Sequence, residues 1–167
     1  MNIRKKLKKY LDENLEEKQR LFSSFKRSSS YDADYVSEEM VAGSSINNYI
    51  NNELNENKFQ KLLFKYIDDR KLKDSDVYNK VHIDRRLFSK IRSDENYHPS
   101  KETIILLASS LELSINELED LLESASYSLP KNNKFDLIIR FCFIEKIYNI
   151  MDINDLLYEY HCNLLTK

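Results

Sequence analysis

A single glycine, Gly43, serves the whole of this 167-residue chain, and the prolines number two, Pro99 and Pro130. Barrels and sandwiches need many tight turns, and most of those turns contain a residue with positive φ that glycine supplies at least cost. A chain this poor in glycine and proline cannot meet that demand. Leu, Lys, Glu, Asn and Ile, by contrast, suit helices. The expected class is all-α, with one core and an appendage at this length.

Hydrophobic spacing divides the chain into four parts. Residues 1–22 carry Ile3, Leu7, Leu11 and Leu15 at four-residue intervals among Lys5, Lys6, Lys8 and Lys9, which predicts an amphipathic helix. Such a helix docks on its own domain, on a second copy, on DNA phosphates or on an anionic membrane; Asp12 to Glu17 cancel much of the charge that membrane binding uses. Residues 23–45 contain eight serines and no sustained period, and read as a linker or arm. Tyr31, Tyr35, Val36, Met40 and Val41 make it more apolar than a pure spacer, so it is a candidate to order against a protein partner.

Residues 46–129 show a helical pattern from Ile46 to Leu54 and a cleaner one through Phe59, Leu62, Leu63, Tyr66 and Ile67. Four short helices follow, with Asp74, Asp84, Ser100 and Ser114 as their expected N-caps; Ser114 and Glu117 have capping-box spacing. Residues 130–167 form a C-terminal extension of two helices. The first, FDLIIRFCFIEKI, is apolar on nearly every side and must be covered all round; Asp152 is the expected cap of the second.

Within the third part, Val77 and Val81 share a face, Ile83 closes a tight connection, and Asp84 opens a helix with Leu87, Phe88 and Ile91 on its apolar side. Opposite lie Arg86, Ser89, Lys90 and Ser93 at i, i+3, i+4, i+7, with Arg85 and Arg92 at the edges. The stretch IDRRLFSKIRSDENYHPSKETIILLASSLELSINELEDLL resembles the phage-repressor (XRE, lambda-repressor-like) helix-turn-helix family over about a third of the chain. Asp84, Pro99, the set Ile104-Leu107-Ala108-Leu111, and Ser114 to Leu118 carry that resemblance. Tyr78 and His82 depart from it, standing where the family has a small alanine and a turn glycine; the expected result is that Tyr78 splays the two helices or turns outward.

The resemblance implies a lambda-repressor-like domain binding double-stranded DNA as a homodimer, a bacterial or phage transcription regulator. Arg86, Ser89 and Lys90 are then the expected base contacts, and Lys80, Arg85, Arg92 and Lys101 the expected phosphate contacts. A net charge of −2 gives no overall attraction to a polyanion. Charge is instead segregated: cations gather at Arg4–Lys9 and Lys80–Arg92, whereas Glu102 to Pro130 hold acids and no Lys or Arg. The competing expectation is a protein-interaction module, antitoxin-like, a phage inhibitor or a defence-associated adaptor, that grips a partner through residues 23–45 or the N-terminal helix.

Other chemistry finds little footing. There is no glycine-rich phosphate loop, no HExxH and no zinc-spaced Cys/His set, so neither enzyme activity nor a cofactor is expected. His161 and Cys162 are adjacent on a helical pattern and point apart. His82 and His98 flank the basic helix and are expected as exposed loop residues. Cys142 and Cys162, lacking a CxxC, read as reduced thiols, and no stretch approaches the ~18 apolar residues of a membrane span; the expected location is cytoplasmic.

Overall fold

The computed structural model describes residues 2–25 and 58–166, and among these the fold is all-helical. Eight helices follow in order: α1 Ile3–Phe25, α2 Lys58–Asp69, α3 Asp74–Lys80, α4 Arg85–Ser93, α5 Lys101–Ser110, α6 Ile115–Ser124, α7 Lys134–Ile144 and α8 Ile150–Glu159. The first helix takes in Ser23 to Phe25, three residues expected in the linker. The rest of that linker and the helix expected from Ile46 to Leu54 lie outside the described residues.

α5 is the hub. Every residue from Ile104 to Ser110 is buried, where the sequence pattern marked only one apolar face. Two of these are serines, and their hydroxyls are satisfied: Ser109 Oγ donates to the carbonyl of Ile105 at 2.9 Å, and Ser110 Oγ to that of Val77 on α3 at 2.6 Å. From this hub the packing runs outward, α5 against α3 and α6, α3 against α4, α6 against α2 and α7.

α7 carries the second half of the core. Leu137, Ile138, Ile139, Phe141, Cys142 and Phe143 are all buried, and α1, α6 and α8 pack around them. The apolar stripe of α1 is therefore used within the chain: Leu7 and Leu11 are buried, the rings of Tyr10 and Phe141 lie 5.6 Å apart, and Lys6 Nζ meets Glu145 Oε2 at 2.6 Å. That stripe is not open to a partner, and the N-terminal helix is part of the same core as the C-terminal extension, not a unit of its own.

Six helices end alike without glycine. Lys71, His82, Glu112, Ser126, Lys146 and His161 follow α2, α3, α5, α6, α7 and α8 with φ between 52° and 59°. In each case the next N–H reaches back to a carbonyl in the last turn, as Ile83 does to Tyr78 at 2.9 Å and Ile147 to Cys142 at 2.7 Å. This is the Schellman arrangement, and the residue after each left-handed position is apolar or aromatic: Leu72, Ile83, Leu113, Tyr127, Ile147 and Cys162. Helix starts are capped as expected at Asp84, Ser100 and Ser114. Two expected caps are corrected. Lys73 precedes α3 and offers no side-chain bond, so Asp74 is the first helical residue; α8 is capped by Asn149, whose side chain accepts from the N–H groups of Met151 and Asp152.

A left-handed non-glycine residue costs about 1–2 kcal/mol, partly recovered because glycine has more entropy to lose. Ser126→Gly is therefore expected to raise stability by about 0.5–1 kcal/mol, and Ser126→Val to lower it by more than about 1 kcal/mol, read from urea midpoints. A second expectation concerns Glu117, which closes the capping box and pairs with Arg70 at 2.8 Å. Partial burial pushes its carboxyl up, but the bonds from Arg70 and Ser114 outweigh that and hold it below the usual value. A depressed carboxylate stabilises the fold above its unfolded pKa of about 4.3 and loses that contribution as pH falls through the folded value. Glu117→Gln is expected to cost about 1–2 kcal/mol at pH 7, with the gap closing in denaturation curves run below about pH 4.

Candidate functional site

The basic face predicted on residues 84–93 is the outer surface of α4. Asp84 fixes its start: its side chain accepts from the N–H of Arg86 at 2.6 Å. Phe88 and Ile91 are buried and Leu87 is half-buried, which turns the other side outward. The far end is fixed by a residue that sequence spacing did not single out. Gln60, on the first turn of α2, donates from Nε2 to the carbonyl of Ile91 at 2.9 Å and also to that of Arg92.

The two departures from the family pattern have definite outcomes. Tyr78 does not turn outward; it stays half-buried with its ring 5.5 Å from that of Phe88, and Val77 and Val81 are buried in the core. Phe64 of α2 meets the same Phe88 edge-on at 6.1 Å. His82 adopts φ 55°, the conformation a turn glycine would take.

Arg85, Arg86, Ser89 and Lys90 are all exposed on α4. No described side chain pairs with Arg85 or Arg86. Lys90 Nζ lies 4.6 Å above the ring of Tyr97, a loop residue the sequence reading did not select and which holds the amine on this face. Arg85 and Arg86 occupy the first turn of the helix, where the positive end of the backbone dipole disfavours a cation by about 0.3–1 kcal/mol; an anion placed there relieves both.

The remaining expected phosphate contacts are engaged within the chain. Lys80 Nζ meets Glu112 at 2.6 Å and the carbonyl of Ser110 at 3.1 Å. The Arg92 guanidinium meets Asp74 at 2.6 Å and lies 4.1 Å above the ring of Phe64. Both pairs stand in solvent, where an ion pair contributes at most about 1 kcal/mol and exchanges readily. Lys101 is different. Its side chain is 20% exposed and its amine pairs with Asp136 of α7, whose side chain is 4% exposed and is also bonded by Asn133. Lys101 is thus a tie between α5 and the C-terminal extension.

His98 is exposed, yet one ring nitrogen contacts the carbonyl of Ala125 at 2.8 Å and its ring lies 5.2 Å from that of Tyr127, so it fastens the loop to the end of α6. Cys142 is free and buried, and burial pushes its thiol up to about 12; Cys162 is free and half-buried, its thiol also raised by burial. Among the described residues no group of three or more His, Cys, Asp or Glu is placed to hold a metal, and no helix is long and apolar enough to cross a membrane.

Lys101→Ala, which strands the buried Asp136 carboxylate, is expected to lower stability by about 3 kcal/mol in chemical denaturation, with Lys101→Met costing less because it keeps the packed stem. Comparison with protein-family models, with curated proteins and with solved structures finds no match to this chain.

Proposed function

We propose that this chain is a helix-turn-helix DNA-binding protein of the lambda-repressor-like kind, acting as a homodimeric transcription regulator on double-stranded DNA. The observation that carries the reading is the pair Arg85 and Arg86, exposed and without a described side-chain partner at the N-terminal turn of α4, a helix fixed at both ends by Asp84 and Gln60. A rigid helix is what base readout needs, since a bidentate arginine discriminates only when its backbone is held. Arg86, Ser89 and Lys90 then face base edges. Arg85 contacts phosphate, joined by Lys80 and Arg92, whose exposed ion pairs yield to a phosphate at a cost of about 1 kcal/mol or less each. The segregation of acids onto residues 102–130 orients the basic helix toward the duplex.

The protein-interaction reading is favoured by one specific observation: of the four cations expected to bind phosphate, Lys80, Arg92 and Lys101 already have intramolecular partners. Fewer free cations mean weaker nonspecific binding and a shallower salt dependence.

Selection from a randomised duplex pool followed by anisotropy titration separates the two. Arg86→Ala is expected to weaken the selected duplex by about 1–3 kcal/mol and relax one base position, and Arg85→Ala to reduce the salt slope by about one charge. Binding that neither substitution alters, or a pool that yields no enriched duplex, removes the DNA reading.

A further inference from the structure

The face of α8 stands apart from everything used so far. In the packing order α4, α3, α5, α6, α7, α8, it lies at the opposite end from the basic helix. Met151 and Tyr158 on it are 71% and 75% exposed, the most exposed of the large apolar side chains among the described residues. They are seven residues apart and so share one stripe, with Asp155 between them. The neighbouring stripe holds Asp152 and Glu159, and α8 carries no Lys or Arg.

Beside this stripe is an open cleft of about 330 Å³ lined by the apolar Ile3, Ile147 and Leu156 and the charged Arg4, Asp152 and Asp155. Arg4 is drawn to Glu159, with Nε 3.3 Å from Oε2. That leaves Asp152 and Asp155 without a cationic partner among the described residues. The cleft is at the small end of ligand sites, which run from about 300 Å³. Its mixture of aliphatic wall and carboxylate matches a side chain with a greasy stem and a cationic head.

We propose that the α8 face is a docking surface for a cationic peptide segment of another protein. One Arg or Lys of that segment inserts between Asp152 and Asp155, and an apolar residue lies on Met151 and Tyr158. Charge decides among the possible occupants. Nucleic acid and anionic membrane are repelled by Asp152 and Asp155, the two carboxylates that Arg4 does not pair with. A second copy paired about a two-fold axis would set this acidic face against itself, since such an interface joins identical patches. The basic outer face of another copy's α1, with Lys5, Lys8 and Lys9, offers charge, but the described leucines beside it, Leu7 and Leu11, are buried in their own core. Exposed tyrosine and methionine suit a partner that brings an apolar residue as well as charge.

The test uses the full chain and a labelled helical peptide with arginine and leucine alternating at three- and four-residue spacing, read by anisotropy. Two control peptides replace all arginines by glutamate or all leucines by alanine. The arginine–leucine peptide is expected to bind, and both controls to bind at least about tenfold more weakly. Asp152→Asn combined with Asp155→Asn, and separately Tyr158→Ala, are each expected to weaken it by about tenfold. The three positions altered on α8, Asp152, Asp155 and Tyr158, are exposed, so circular dichroism should be unchanged. Glu123→Gln on α6 and Arg86→Ala on α4 should leave binding intact, which keeps this result independent of the DNA reading. The proposal is overturned if the arginine–leucine peptide does not bind, if the glutamate peptide binds equally, if Glu123→Gln weakens binding as much as the α8 changes, or if ultracentrifugation shows a dimer that Tyr158→Ala dissociates.

Discussion

Covering α7 is the constraint on which the rest of the molecule depends. An eleven-residue helix with Leu137, Ile138, Ile139, Phe141, Cys142 and Phe143 all inside presents apolar surface in every direction, and each side chain left wet would cost about 1.5–3 kcal/mol. Three helices from distant parts of the sequence are recruited to it. α6 closes one side and joins it to the hub, α8 folds back on it through a Schellman turn at Lys146, and α1 arrives from the other end of the chain. Removing any of the three would expose apolar surface of α7.

The same logic separates the two kinds of cation in the structure. Lys101, Lys6 and Arg140 link helices that cover one another, to Asp136, Glu145 and Glu119, and in each pair at least one side chain is substantially withdrawn from water. Their contribution is to fix how layers are seated. Among the described residues Arg85 and Arg86 have no such partner. They stand on a helix whose buried side is small, Phe88 and Ile91, and whose ends are fixed by other residues.

Much of this was legible in the sequence, and the failures have a common form. The order and approximate limits of α2 to α8 follow from apolar spacing and from the caps Asp84, Ser100 and Ser114, which are local signals. Asp152 was misplaced as a cap because a carboxylate anywhere in the first turn favours the helix dipole, and spacing alone does not tell that role from the cap that Asn149 performs. The pairing of Lys101 was not legible because its partner, Asp136, lies 35 residues away on another helix. Gln60 and Tyr97 escaped for the same reason: what they do depends on α4 being beside them. Composition pointed to helices through the lack of glycine, but not to how the chain would turn without it.

The meeting of α1 with α7 and α8 has a topological consequence. Arg4 contacts Glu159 and Lys6 contacts Glu145, so the start of the first described helix reaches the end of the last, and both helices pack on α7. Circular permutants spliced across the α1–α8 contact and opened between α1 and α2 would carry every described helix in a new order, and would test whether the order of elements along the chain is separable from their order in space.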